Sequence, residues 1–329
     1  MSDKKKFQKD KKYRAVIIGA GRIAAQFDDV KSKNVLTHAH AYHLNPQVSL
    51  AGIFDIDFSK ASLAAKRWET RSYEDFDKMF REIRPEIVSI CTPDDQHFFV
   101  LRKILKYRPK IVICEKPITT KIADTEKIIK LYKKNKIPIL VNYSRRFDGT
   151  VQKLKKELAR GKYGKVIAAT GIYSKGILHN GSHLIDLARY LFGKFKMALS
   201  LLAINDYDRQ DKTVAGFLQF NGCPQFHLLA TDQRHFTMFE LDIICERARF
   251  RFVNEGFWLM TQSIEPDPVF AGYKVLSAPK RQTTQLDNAM SKLVNNAVEH
   301  LNNCVPLICT VEDALEAQKI CFNLLKKYV

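Results

Sequence analysis

Residues 13–24 read YRAVIIGAGRIA, an apolar run that breaks into glycines and then resumes in small and apolar side chains. The apolar residues before "GAG" predict a buried strand, and the glycines predict the turn that carries the chain into a helix. Gly19 makes the tight turn, Gly21 lets a pyrophosphate approach the backbone, and Ala24 takes the close-packing third position. Arg22 and Ile23 open the helix, whose unpaired N–H groups face the phosphates.

Outward from this stretch, "VSLAGIFDID" is a second strand ending in acids, and "PEIVSICTP", "PKIVICEKP" and "IPILVNY" are three more short runs of strand character. Helical stretches such as "SKASLAAKRWE", "QHFFVLRKILKY" and "ADTEKIIKLYKKN" lie between them. This alternation is the mark of an α/β fold with a parallel sheet covered by helices on both faces. Ligands of such a sheet lie beyond the carboxyl ends of its strands, which here read "GAGRIA", "DID", "CTPD" and "CEKP". Thr92, Pro93 and His97 of the third end and Glu115 of the fourth therefore join the expected cofactor residues.

Asp55 closes the second strand, where a carboxylate accepts hydrogen bonds from the adenine-side ribose and repels a 2′-phosphate. NAD is thus favoured over NADP, with Asp57 the alternative for the same task. The separation from Gly21 is longer than the usual one of about twenty residues, because "FDDVKSKNVLTHAHAYHLNP" intervenes as an enlarged helix or loop. That insert carries His38, His40 and His43. No cysteine or sequential carboxylate completes a shell, so they are read as surface or helix-packing histidines, and no metal is expected.

After about residue 145 the pattern changes. "KVIAATGIYS", "ALSLLAINDY", "TVAGFLQF", "PQFHLLATD", "HFTMFELDIICERARFRFV" and "FWLMTQSIE" are successive strands with few helices among them, which predicts a mostly antiparallel sheet in an α+β domain. Two helical segments close the chain, the second opening on Thr310 with Asp313 three residues later. The expected division is a basic disordered tail at 1–12, an NAD(P)-binding Rossmann domain at 13–144, and a substrate-binding and oligomerisation domain at 145–329. The C-terminal helices of the last are free to pack back on the first domain.

Composition bounds the function. With 329 residues and 46% hydrophobic content the chain supports two folded domains. Its lysine-rich start leads into a strand, not into the apolar stretch of a signal peptide, so the expected location is the cytoplasm. Seven scattered cysteines without C-x-x-C spacing indicate neither a disulfide framework nor a zinc ribbon. The formal net charge of +19 is spread over a tail and helix faces, and no nucleic-acid module accompanies it. A small-molecule partner is expected, with no specific nucleic acid and no membrane.

At "GAGRIA", "CTPDDQH", "CEKP" and "GSHLIDLARYLFG", in this order, the chain resembles the glucose-fructose oxidoreductase and inositol dehydrogenase family. "NYSRRFD", "GKYGKV" and "VEDALEA" extend the likeness over nearly the whole chain. The resemblance implies a Rossmann domain followed by an open-faced antiparallel sheet domain, tightly held NAD or NADP, and reversible oxidation of a secondary alcohol on a sugar or cyclitol. It also implies homodimers or homotetramers paired through the sheets. Lys116, the lysine of "EKP", would sit near the nicotinamide and the substrate hydroxyl, where alcohol oxidation needs a base.

The same resemblance bears on "GILHNGSHLIDLARYLFG", residues 176–193. His183 matches the family's histidine in the helix facing the nicotinamide, and Asp186 matches a later aspartate. His179 stands where the family carries an aspartate. Residues four apart on a helix share a face, so His179 and His183 join Lys116 as expected catalytic groups. Arg146, Lys175 and Asn180 are the expected substrate contacts, the two cations suited to a diphosphate or carboxylate. The substrate reading is a sugar or nucleotide sugar in surface polysaccharide synthesis. The rivals are an imine or double-bond reductase of the same fold, a non-catalytic nucleotide-sensing protein, and a charge-driven nucleic-acid binder.

Overall fold

The computed structural model describes residues 12–328, and all of the expected basic tail except Lys12 lies outside them. The chain divides into two compact units, Met1–Phe147 with Asp287–Leu315, and Asp148–Leu286 with Glu316–Val329.

The first unit is built on six parallel strands: β1 Tyr13–Ile18, β2 Val48–Phe54, β3 Ser72–Tyr73, β4 Ile87–Ile90, β5 Ile111–Cys114 and β6 Ile139–Val141. They lie in the order β3-β2-β1-β4-β5-β6, the doubly wound arrangement whose strand order reverses between β1 and β4. Helices α1 His38–Leu44, α2 Phe58–Arg67, α3 Phe76–Ile83, α4 His97–Ile104 and α5 Ile122–Asn135 connect them. β4, β5 and β6 are buried along their whole length, as strands covered on both faces must be. Two-residue β3 has no counterpart in the sequence reading, since a run so short carries no periodicity.

The insert departs from a simple enlarged helix. After "GAG" the chain makes a π-helical turn at Arg22–Gln26, then loops to α1. The buried Asp28 carboxylate organises the loop by accepting from Leu36 N at 2.6 Å, Thr37 N at 3.2 Å, Thr37 Oγ1 at 2.5 Å and His40 Nδ1 at 2.9 Å. Thr37 in turn caps α1 through His40 N.

In the second unit, α6 Gly149–Ala159 leads to β7 Val166–Tyr173, a π-helical turn at Gly176–Gly181, and α7 Ser182–Phe192. Then follow β8 Phe195–Ile204, β9 Thr213–Phe220, β10 Cys223–Ala230, β11 Phe239–Cys245, β12 Ala248–Val253, β13 Trp258–Pro266, β14 Lys274–Leu276 and β15 Lys280–Thr283. Among the described residues they form a nine-stranded sheet, antiparallel except where β10 runs parallel to β7. The stretch read as one long strand at 235–253 is a hairpin, turned between β11 and β12 by Glu246 and Arg247, whose N–H groups donate to Lys165 O and Tyr163 O.

Helices α8 Ala289–Asn303 and α9 Val311–Leu325 close the chain. α8 and the start of α9 belong to the first unit, so the division is not the linear one at residue 144. The cause is apolar: Met290, Leu293, Val294 and Ala297 of α8 are buried. At the start of α9, Thr310 and Asp313 cap each other's backbone, with Thr310 N donating to Asp313 Oδ2 at 3.1 Å and Asp313 N to Thr310 Oγ1 at 3.2 Å. No helix among the described residues is long and apolar enough to cross a membrane.

Candidate functional site

At the strand-order reversal of the first unit lies a cleft of about 1050 Å³. Gly19, Gly21, Arg22, Ile23, Asp55, Thr92 and Pro93, all expected at the cofactor, line it. Gly19 has φ +91, and a Cβ there would fall 2.6 Å from Cys91 O, so only glycine lets the turn rest on the end of β4. Gly21 is glycine for the opposite reason: a Cβ would meet nothing within 4 Å and would project into open space.

Asp55 Oδ2 accepts from Ala20 N at 2.6 Å and Oδ1 from Asp57 N at 2.9 Å, tying the glycine turn to the end of β2. A carboxylate offers about four acceptor sites, which leaves capacity for ribose hydroxyls. Asp57 caps α2 through Ser59 N and Lys60 N and pairs with Lys60 Nζ at 3.6 Å, so of the two acids it is the one committed to a helix. The Thr92 hydroxyl, on the cleft wall, is buried with no hydrogen-bond partner. An open space above Gly21, an unmatched buried hydroxyl and an acid with spare acceptor sites fit a bound dinucleotide. Phe27, Ile56 and Phe99 also line the cleft, each strongly exposed, and sequence reading missed them. An apolar Ile56 between two acids was the available signal.

Two expected cofactor residues do other work. His97 is fully buried, with Nδ1 2.7 Å from Pro117 O and Nε2 3.0 Å from Thr92 O, so it ties the β4 and β5 loop ends together and is not on the cleft wall. Glu115 Oε1 receives His38 Nε2 at 2.9 Å and Asn142 Nδ2 at 2.7 Å. His38 continues the chain, its Nδ1 2.9 Å from Ser89 Oγ, which lies 2.6 Å from the Tyr42 hydroxyl. Burial pushes the Glu115 carboxyl up, but the bonds and charges of His38, the Asn142 amide and the charge of Lys116 outweigh it and hold the group below its ordinary value. His38 and His40 are thus buried carboxylate partners, and neither is a surface group. No cluster of three metal-ligating side chains occurs among the described residues.

Lys116 follows Glu115 at the carboxyl end of β5 and shares a charge cluster with Asp94, His97 and Glu115. Desolvation holds the Asp94 carboxyl above its ordinary value against the charges of Lys116 and His97. Arg146, an expected substrate contact, is only 4% exposed, and its Nη1 lies 3.1 Å from Ile308 O and 3.2 Å from Asp313 Oδ2. A buried guanidinium must be paired, and Arg146 is held within the first unit instead of facing a ligand.

In the second unit His179 and His183 lie on different kinds of turn, His179 in the π-helical segment and His183 at the start of α7. Their spacing of four therefore does not by itself place them on one α-helical face. Asn180 Nδ2 donates to Ser174 O at 3.0 Å, which commits its amide to the turn. His179 N donates to Asp211 Oδ2 at 2.8 Å, and its ring centroid is 5.1 Å from that of Tyr207. Lys175 Nζ stands 5.2 Å from the same Tyr207 centroid. Asp186 is buried at 1% exposure, one turn beyond the half-buried His183.

Residues 13–143 match the oxidoreductase family with an NAD-binding Rossmann fold. In sequence the chain is similar to myo-inositol 2-dehydrogenase of Thermotoga maritima, 24% identical over 200 residues that cover 55% of each chain. The chain thus spans about half the length of the relatives it matches in sequence. In fold it is similar to a putative NADPH-dependent oxidoreductase from Desulfitobacterium hafniense, with TM-score 0.78, 15% identity and coverage of 96% of this chain and 95% of that one. It is also similar to the WlbA dehydrogenase of Bordetella pertussis in complex with NADH and UDP-GlcNAcA, with TM-score 0.74, 15% identity and coverage of 97% and 98%.

Two predictions follow from this geometry. Gly21→Val should fold with an unchanged melting temperature yet lose at least about tenfold in NADH affinity by fluorescence titration, because its side chain fills ligand space. Gly19→Ala should instead lower the melting temperature; equal thermal stability of the two variants would contradict the separation of roles. For Glu115, a carboxyl depressed by folding contributes stability that is full above its unfolded value and lost as pH falls through the folded one. Glu115→Gln should therefore be less stable than the parent at pH 7, and the difference should shrink as pH falls through and below 4.5. A difference in denaturation midpoint that is constant with pH would rule this out.

Proposed function

We propose that this chain, whose residues 13–143 match the oxidoreductase family with an NAD-binding Rossmann fold, is an NAD-dependent dehydrogenase. It acts on a secondary alcohol of a sugar, nucleotide sugar or cyclitol. The observation that carries the reading is the cleft at the strand-order reversal, with space above Gly21, the unmatched Thr92 hydroxyl and the Asp55 carboxylate at its walls. Gly19, Gly21, Arg22 and Ile23 would hold the pyrophosphate, Asp55 the adenosine ribose, and Thr92 and Pro93 the nicotinamide side. When bound, the nicotinamide supplies the hydride acceptor or donor.

The chain's own part is to handle the proton that leaves the alcohol oxygen on oxidation. Lys116 and His183 are the proposed proton-handling groups, with His179 and Lys175 as substrate contacts. His179 offers a donor and an acceptor where the resembling family has a fixed negative charge. The relatives support the substrate class through their names, a myo-inositol 2-dehydrogenase and a dehydrogenase bound to NADH and UDP-GlcNAcA. A cytoplasmic place in surface polysaccharide synthesis is consistent with these.

The protein is further proposed to pair through the outward side of its nine-stranded sheet. Register aligns Leu199, Phe217, His227, Thr170 and Asp242 in one row across five strands. Leu199, Leu201, Leu229 and Ile244 are exposed large apolar side chains of these strands. Surface of this kind marks an interaction site.

Reduction of NAD, followed by absorbance over a panel of cyclitols, sugars and nucleotide sugars, tests the activity. Lys116→Ala should lower kcat by about 10² or more while NADH affinity stays within about threefold; undiminished turnover in that variant would remove Lys116 from the chemistry. The paired substitution Leu199→Asp and Leu201→Asp should convert a dimer or tetramer into single chains by light scattering. A wild-type protein that already runs as a single chain would dispose of the sheet pairing.

A further inference from the structure

The loop 205–212, between β8 and β9, is locked onto the π-helical turn of the second unit. Five successive backbone N–H groups are accepted by it or by its flanking residue. Lys175 N donates to Asp206 Oδ2 at 2.8 Å, Gly176 N to Thr213 Oγ1 at 2.7 Å, and Ile177 N to Lys212 O at 3.0 Å. Leu178 N and His179 N donate to the two oxygens of Asp211 at 2.7 and 2.8 Å. Asp206 is itself buried and also accepts from Thr213 Oγ1 at 2.7 Å and Gln233 N at 3.0 Å. Lys175 is held at φ +73, a left-handed backbone that a lysine rarely adopts unless its surroundings impose it.

On this fixed frame stands Tyr207, 51% exposed although its neighbours are pinned. The His179 ring lies 5.1 Å from it and the Lys175 ammonium 5.2 Å. Among the described residues no carboxylate pairs with the Lys175 ammonium. An exposed ring, an imidazole and an unpaired cation held together by a clamped backbone form a recognition surface for a ring with polar edges and a negative charge.

We infer that Tyr207 is a stacking platform for the substrate's sugar ring, and that Lys175 beside it reads an anionic substituent, a carboxylate or a phosphate, so that this site selects acidic over neutral sugars. This rests on the dehydrogenase reading and narrows its substrate class. The apolar face of a pyranose packs on the tyrosine ring, its hydroxyls reach the imidazole, and the ammonium supplies three donors to the anion.

The test is calorimetric titration of the NAD-saturated full chain with glucose, glucuronate, glucose 6-phosphate, UDP-glucose and UDP-glucuronate. In the parent, at least one acidic sugar should bind about tenfold or more tighter than its neutral counterpart, and the glucuronate and glucose 6-phosphate arms tell carboxylate from phosphate. Tyr207→Ala should weaken every sugar about tenfold, Tyr207→Phe should stay within about twofold, and Lys175→Met should erase the acidic preference, bringing each acidic sugar within about twofold of its neutral counterpart. NADH affinity serves as the folding control in each variant. Equal binding of acidic and neutral sugars, unchanged binding in Tyr207→Ala, or no binding of any probe would overturn the inference. If the binding pattern holds while no sugar reduces NAD, the dehydrogenase reading fails and the sugar platform stands. If NAD is reduced and Tyr207→Ala keeps its KM, the platform alone fails.

Discussion

The resting of Gly19 on the Cys91–Thr92 peptide is the contact on which the first unit's cleft depends. With φ +91 and no room for a Cβ, the turn after β1 lies directly against the end of β4. From there the strand ends are stepped into one rim: Gly19 N donates to Phe54 O, Cys91 N to Ile18 O, and Glu115 N to Ile90 O. Asp55, Thr92 and Lys116 therefore follow one another along the carboxyl edge of the sheet, although they are far apart in sequence. A larger residue at position 19 would press on the end of β4, which is hydrogen-bonded to β1 on one side and to Glu115 on the other.

Buried charge sets the second constraint. Asp28 and Arg146 are buried and Glu115 is largely so, and each is met by several partners, as the cost of removing charge from water requires. The insert after the glycine turn is built around this need. It closes on Asp28, and it delivers His38 to Glu115, the residue next to Lys116. What looks in sequence like a histidine-rich decoration thus becomes part of the support beneath the expected catalytic lysine.

The doubly wound order and the mostly antiparallel second sheet were legible because both leave periodic signals, apolar runs between amphipathic helices in one case and closely spaced strands in the other. The glycine turn was legible because its residue types are dictated by backbone geometry. What escaped were features set by long-range pairing. That His97 spends both nitrogens on carbonyls, and that Arg146 is buried against Ile308 and Asp313, depends on segments distant in sequence. Tyr207 escaped for the same reason, since nothing local to "NDYDRQD" says that its first and last aspartates, Asp206 and Asp211, clamp a turn about thirty residues upstream. The placement of α8 with the first unit was left open by the pattern, because amphipathicity announces that a helix packs but not on what.

Among the described residues each unit contains one π-helical turn, and the two differ in what becomes of their amide groups. At Arg22–Gln26 no other described segment provides an acceptor for the N–H groups of Gly21, Arg22 and Ile23, which leaves them for an anion at the cleft. At Gly176–Gly181 the corresponding groups are all consumed by the β8–β9 loop and its flank. The first turn can therefore bind a phosphate through its backbone, a contact indifferent to side-chain change. The second has no backbone donors left to offer, so any ligand there must be read by side chains, and the ones the clamp presents are Lys175, His179 and Tyr207. On the proposed reading, cofactor recognition is thereby tied to the fold, whereas substrate choice is free to vary with three side chains on a rigid base.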